Sequence, residues 1–199
     1  VVTNLKNEAK PGRGRPRSFD PETALAIGQQ MFHAADYDAV GLSALTNALG
    51  VTPPSFYTAF GSKAAFFASV LERYASTELA LAEILREGRR PEEALTDLFV
   101  RAARTYSQDP GRRGCLVLEA ARGHGNSESA VLARRVAERR RAQVREFIAR
   151  THPRAAGLVT DYVSSVMSGL SGSAREGMSQ ARLVKVARAA GEGLARLLG

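Results

Sequence analysis

Residues 41–63 read GLSALTNALGVTPPSFYTAFGSK. Leu42, Leu45 and Leu49 recur at helical spacing, so 42–49 reads as a short helix. Gly50 ends it, because only glycine enters the left-handed conformation without a Cβ clash. Thr52 can cap the next helix with its hydroxyl. Pro53 and Pro54 suit a first helical turn, whose N–H groups have no intrahelical partner. This second helix reaches about Phe60, where Gly61 and Ser62 break the pattern. Two short helices joined by a glycine-containing turn form a helix-turn-helix signature.

Working outward, the apolar pattern stays helical. Ala24, Leu25, Ile27, Gly28, Met31 and Phe32 predict a helix ending near Ala35, with Asp20 as its cap and Pro21 at its first position. Ser62 caps a fourth helix expected to run from Lys63 to Arg86. Further helices are expected at 92–107, 115–122, 127–151 and 154–176, and Ser179 should cap the last one. No strand pattern and no repeat emerges. The expected fold is all-α, with about nine helices. Residues 1–18 form a basic arm, 19–63 the helix-turn-helix domain and 64–199 a helical ligand-binding and dimerisation domain.

The chain has 199 residues, 44% hydrophobic and 24% charged, which suits a globular protein and argues against disorder. Its single Cys excludes an internal disulfide or a multi-cysteine zinc site, and the three histidines at 33, 124 and 152 are scattered. No cofactor and no metal site is expected. No apolar stretch approaches a membrane span, and the N-terminus lacks a secretory core, so a cytoplasmic location is expected. The net charge of +8 invites a polyanion. Its distribution is uneven. Lys6, Lys10, Arg13, Arg15 and Arg17 make the arm basic, whereas residues 20–62 contain no Lys or Arg.

Phe32, Tyr37, Leu45, Gly50-Val51-Thr52, Phe56-Tyr57, Phe60 and Ser62-Lys63 together resemble the DNA-binding domain of TetR/AcrR-type repressors. The resemblance implies a homodimeric regulator that binds a palindromic operator on double-stranded DNA and is released by a small-molecule effector. It implies DNA contacts from Ser43, Thr52, Pro53, Pro54, Ser55, Tyr57, Thr58 and Lys63. The chemistry agrees. Short side chains let the helix approach base edges, and hydroxyls bond to bases or phosphates. Tyr57 should point outward between Phe56 and Phe60, and Lys63 should offer its charge to a phosphate. Gly41 departs from the pattern, since it supplies no capping side chain, and the recognition helix has no Arg for bidentate guanine readout. Arg13-Gly14-Arg15-Pro16 resembles an AT-hook core, so Arg13, Arg15 and Arg17 read either as minor-groove contacts or as part of a solubilising tail.

Beyond residue 63, Phe67, Leu71, Phe99, Tyr106, Cys115, Leu118 and Tyr162 are the candidate effector contacts. Cys115 reads mainly as a buried core residue, with redox, electrophile or metal sensing (with His124) as the alternative. The arginines of 134–141 read as the solvated face of a long helix rather than a second nucleic-acid patch. His33 and His152 read as ordinary helix and loop residues. Ser164, Ser165, Ser168, Gly169, Ser171, Gly172 and Ser173 allow close helix approach, so the last two helices should pair two chains through a four-helix bundle. No catalytic constellation stands out. The rival to the regulator is a helical protein that binds a small molecule or partner and has a degenerate DNA-binding domain.

Overall fold

The computed structural model describes residues 20–123 and 125–199. The arm with Arg13, Arg15 and Arg17, and His124, lie outside these described residues. The described residues form an all-helical fold of ten segments. They are α1 Pro21–Ala34, α2 Leu42–Leu49, α3 Pro53–Phe60, α4 Lys63–Thr77, α5 Leu81–Ile84, α6 Pro91–Thr105, α7 Leu116–Ala121, α8 Glu128–Ala149, α9 Ala156–Arg175 and α10 Gln180–Leu198.

Helices α1, α2 and α3 gather on the first half of α4. Phe66 meets Phe56 and Phe60 edge-on, and Phe67 meets Phe32 the same way at 4.8 Å between ring centroids. Burying aromatic area of this kind is the main force holding the small domain together. Helices α1 and α4 approach closely at Gly28, where a Cβ would stand 2.5 Å from the Phe66 ring. A polar chain runs beside this contact. Arg73 donates to Glu22 and Gln29, and Gln29 donates to Glu78.

The fourth helix is shorter than its apolar pattern suggests. It stops at Thr77, and the one-turn α5 follows. The hydroxyls of Ser76 and Thr77 both bond back to the Arg73 carbonyl, a local competitor of the helical ladder. Arg140 of α8 then donates to the carbonyls of Ala75 and Leu79 at 2.5 and 2.8 Å. Those carbonyls are satisfied from across the domain instead of from the next turn.

The larger half is a bundle of α6 and α8 to α10, with α7 against α8. Leu183, Ala187, Leu194 and Leu198 line the buried stripe of α10, facing Leu95, Leu98 and Ala102 of α6 in the same core. Each fully buried leucine contributes roughly 1.5–3 kcal/mol. Ser179 does stand at the cap position of α10, but its side chain makes no capping bond.

Candidate nucleic-acid interface

The turn between α2 and α3 is set by local chemistry. Gly50 has φ 65° and ψ 31°, and Val51 N donates to Thr46 O across it. Thr52 takes extended angles, and its hydroxyl oxygen accepts from Ser55 N at 3.4 Å and pairs with Ser55 Oγ at 2.9 Å. Helix α2 begins at Gly41 with no side-chain cap, as its sequence requires.

Helix α3 buries one edge and exposes the other. Phe56 is fully buried, while Pro53, Pro54, Ser55, Tyr57, Thr58 and Ala59 are exposed. Tyr57 leaves 49% of its surface open. Ser43 on α2 is exposed as well. The Thr58 hydroxyl donates to Pro54 O, which turns its lone pairs outward. The result is an outer face of hydroxyls, proline rings and one phenol, free of charge.

Lys63 sits differently from the expectation. Its ammonium donates to Tyr37 O at 2.6 Å and lies 4.0 Å from the centre of the Tyr37 ring. Partial burial lowers its pKa, against the attraction of Asp38. One of three donors and one face of the cation are therefore committed to the loop between α1 and α2. Lys63 locks α4 to that loop and has only its remaining donors for a phosphate.

A second site lies in the larger half. A cavity of about 240 Å³ opens between α4, α6, α7, α8 and α9. Tyr106, Cys115 and Leu118 line it. The other four candidate effector contacts lie elsewhere. Phe67 belongs to the aromatic cluster with Phe32 and Tyr37, and Leu71 is fully buried on α4. Phe99 packs toward Tyr162, whose hydroxyl donates to Ala190 O on α10. Apolar residues at helical spacing look alike in sequence whether they fill a core or line a hollow.

Several residues of this region escaped the sequence reading. Tyr74 of α4 lines the cavity beside Cys115. His33 is no ordinary helix residue. It packs edge-on against Tyr74 at 5.6 Å, and its Nε2–H donates to Gly114 O at 3.1 Å. Burial lowers its pKa. Gly114 has φ 86° and leaves no room for a Cβ, which would stand 2.8 Å from Arg175. A lone histidine in a helix gives no signal of such a contact.

The arginine run also differs from a solvated face. Arg134 donates to the carbonyls of Ala121 and Gly125, Arg140 to those of Ala75 and Leu79, and Arg141 to Asp161 and Ser164. Arg139 pairs with Glu72. Glu119 likewise serves Arg122, Arg175 and the Ser171 hydroxyl.

The helix-turn-helix has clear relatives. The model of the family described as bacterial regulatory proteins, tetR family, matches residues 25–70. The HTH-type transcriptional repressor BdcR of Escherichia coli (strain K12) is 44% identical over 186 residues, covering 93% of this chain and 94% of its own length. The chain belongs to the TetR family. As a member it is a DNA-binding transcriptional regulator and not an enzyme. A second repressor of the same organism, ComR, is 27% identical over 94% of each chain. Among solved structures, a cysteine mutant of the TetR family regulator CifR, complexed with 26-base-pair operator DNA, superposes with a TM-score of 0.74. It is 28% identical, over 89% of this chain and 98% of that one. No helix of the regulator's described residues is long and apolar enough to cross a membrane.

Proposed function

We propose that this regulator is a cytoplasmic repressor that binds a palindromic operator as a homodimer and leaves it when a small molecule fills the cavity. One observation carries the reading. Among the described residues the exposed large hydrophobic side chains are Tyr57, Leu158 and Val186, at 49%, 62% and 49% exposure. Tyr57 stands on the outer face of α3. Leu158 and Val186 stand on α9 and α10, the pair expected to join two chains. A monomer gains nothing from exposing them, whereas an operator-bound dimer uses both surfaces. The names of BdcR and ComR as repressors, and the operator bound to CifR, support the same reading.

On the DNA side, Ser43, Thr52, Pro53, Pro54, Ser55, Tyr57 and Thr58 form the contact face, Lys63 adds a partial phosphate contact, and Arg13, Arg15 and Arg17 reach an adjacent groove or phosphate. The small-residue stripe is divided between two tasks. The Ser164 and Ser171 hydroxyls are used within the chain, accepting from Arg141 and Cys115 N, and the Ser168 carbonyl accepts from Arg122. Ser165 and Gly169 stay exposed with Leu158 on α9 and face the second chain.

Release is a population shift. An effector favours the dimer conformation whose recognition helices miss the half-site spacing, because it binds that state more tightly. The cavity reaches the DNA-binding half through two touching groups. Tyr74 in its wall packs on His33 of α1, and His33 bonds the carbonyl just before Cys115.

Sedimentation and gel shift on DNA from the chain's own upstream region test this. Wild type is expected to sediment as a dimer and give a discrete shifted band at physiological salt. Leu158→Glu is expected to sediment as a monomer and lose the band while keeping its helical content. A dimeric Leu158→Glu variant with an unchanged band would overturn the assigned dimer face.

A further inference from the structure

The outer face of α3 holds few free hydrogen-bond donors. The helix, PPSFYTAF, contains no Arg, Lys, Asn or Gln. Pro54 and Thr58 are exposed, one turn apart, on the side turned away from buried Phe56. The Thr58 hydroxyl gives its hydrogen to Pro54 O at 2.9 Å and is left as an acceptor. The Thr52 and Ser55 hydroxyls bond each other at 2.9 Å, so the pair keeps one hydrogen between them. The exposed Tyr57 phenol adds a lone donor on the flank.

Guanine shows two acceptors, N7 and O6, to the major groove, and its strong readout takes two donors from one Arg or Lys. Helix α3 has no such side chain, so those acceptors would lose water without gaining a matched partner. Helix α2 exposes Ser43 and Asn47, but the first helix of this motif crosses the sugar-phosphate backbone. What α3 offers instead is apolar carbon beside an acceptor. The Pro54 ring presents carbon, since its nitrogen carries no hydrogen, and Thr58 Oγ accepts one turn further on. An A·T pair shows the complementary set in the major groove, a thymine methyl and the adenine N6 donor. A G·C pair has no methyl.

We infer that the operator half-sites place A·T pairs under α3, with a thymine methyl packed on the Pro54 ring and the Thr58 oxygen accepting from adenine N6. Guanine N7 has no part in what this helix reads. This rests on the operator reading above, and it names the base-pair chemistry that the neutral face selects.

Gel shift of the full chain on modified DNA tests this. The fragment from its own upstream region is made in natural form, with every thymine replaced by uracil, and with every guanine replaced by 7-deazaguanine. The first exchange removes the C5 methyls and the second removes the N7 acceptors, both in the major groove. At physiological salt the uracil form is expected to bind wild type about tenfold or more weakly, since each half-site loses at least one buried methyl worth roughly fourfold. The deazaguanine form should bind within about twofold of natural DNA. Pro54→Ala puts a good helix former at the same place, and it should shrink the uracil penalty to about threefold or less. A uracil form bound as tightly as natural DNA would overturn the inference and leave the repressor reading standing. So would a deazaguanine form that loses the band, or a Pro54→Ala variant with the full uracil penalty. No discrete band on natural DNA would remove the repressor reading itself, and this inference with it.

Discussion

Helices α3 and α8 divide polarity in opposite ways. Helix α3 carries no charged side chain and turns six of its eight residues toward solvent. Helix α8 carries Arg134, Arg135, Arg139, Arg140, Arg141 and Arg145, and it spends four of them on protein partners. The segment assigned to a polyanion is the neutral one, and the most basic helix is structural. Charge counted along a sequence locates a partner only after the charges already satisfied within the protein have been subtracted. A neutral surface of hydroxyls and a phenol can still meet DNA, because hydroxyls and backbone N–H groups bond phosphates and base edges without a net charge.

This contrast can be broken at α8 most forcefully. Arg140→Ala removes the partner of the Ala75 and Leu79 carbonyls, where α4 ends. It is expected to lower the unfolding free energy by about 2–4 kcal/mol, as for half-buried charged hydrogen bonds. Arg135→Ala, on the exposed side of the same helix, should stay within about 0.5 kcal/mol. Chemical denaturation of both variants checks the difference. Equal, small effects would make α8 an ordinary solvated helix after all.

A smaller effect is expected at the start of α3. Thr52→Ala removes the cap on Ser55 N and the hydroxyl pair with Ser55. A loss of about 1 kcal/mol follows, seen as a lower denaturation midpoint. No change there would mean that the two prolines alone hold the helix start.

The last effect lies where α1 meets the larger half. Burial keeps the folded-state pKa of His33 below its ordinary 6.5, with Arg112 and Arg175 acting in the same sense. The Gly114 bond and Glu78 oppose this. The unfolded chain thus takes up a proton more readily. Stability is full above pH 6.5 and falls as pH drops from there toward the folded-state pKa. Denaturation midpoints at pH 7.5 and 5.5 should differ more in wild type than in His33→Gln. A pH dependence that His33→Gln leaves intact would move the effect to another group.

Legibility in the sequence followed the range of the interaction. The caps of α1, α3 and α4 were readable at Asp20, Thr52 and Ser62, because each is decided within three residues. Gly50 was readable for the same reason. The end of α4 was hidden, since the groups that satisfy its carbonyls stand on Arg140, more than sixty residues away. Ser179 shows the limit of cap rules, as the right residue at the right place makes no bond. Tyr106, Cys115 and Leu118 were separated from Phe67, Leu71, Phe99 and Tyr162 only by which helices face one another. Nothing in the sequence marked Tyr74 as part of the cavity wall or His33 as a contact between the two halves.

The central claim is that the neutral face of α3, and not the arginines of α8, meets DNA. A titration of DNA from the chain's own upstream region with wild type, Tyr57→Ala and the double variant Arg135→Ala/Arg145→Ala tests it directly. Tyr57→Ala is expected to weaken binding about tenfold or more with an unchanged melting temperature, while the double variant binds within about twofold of wild type. Loss of binding in the arginine variant, with Tyr57→Ala binding normally, would contradict the account.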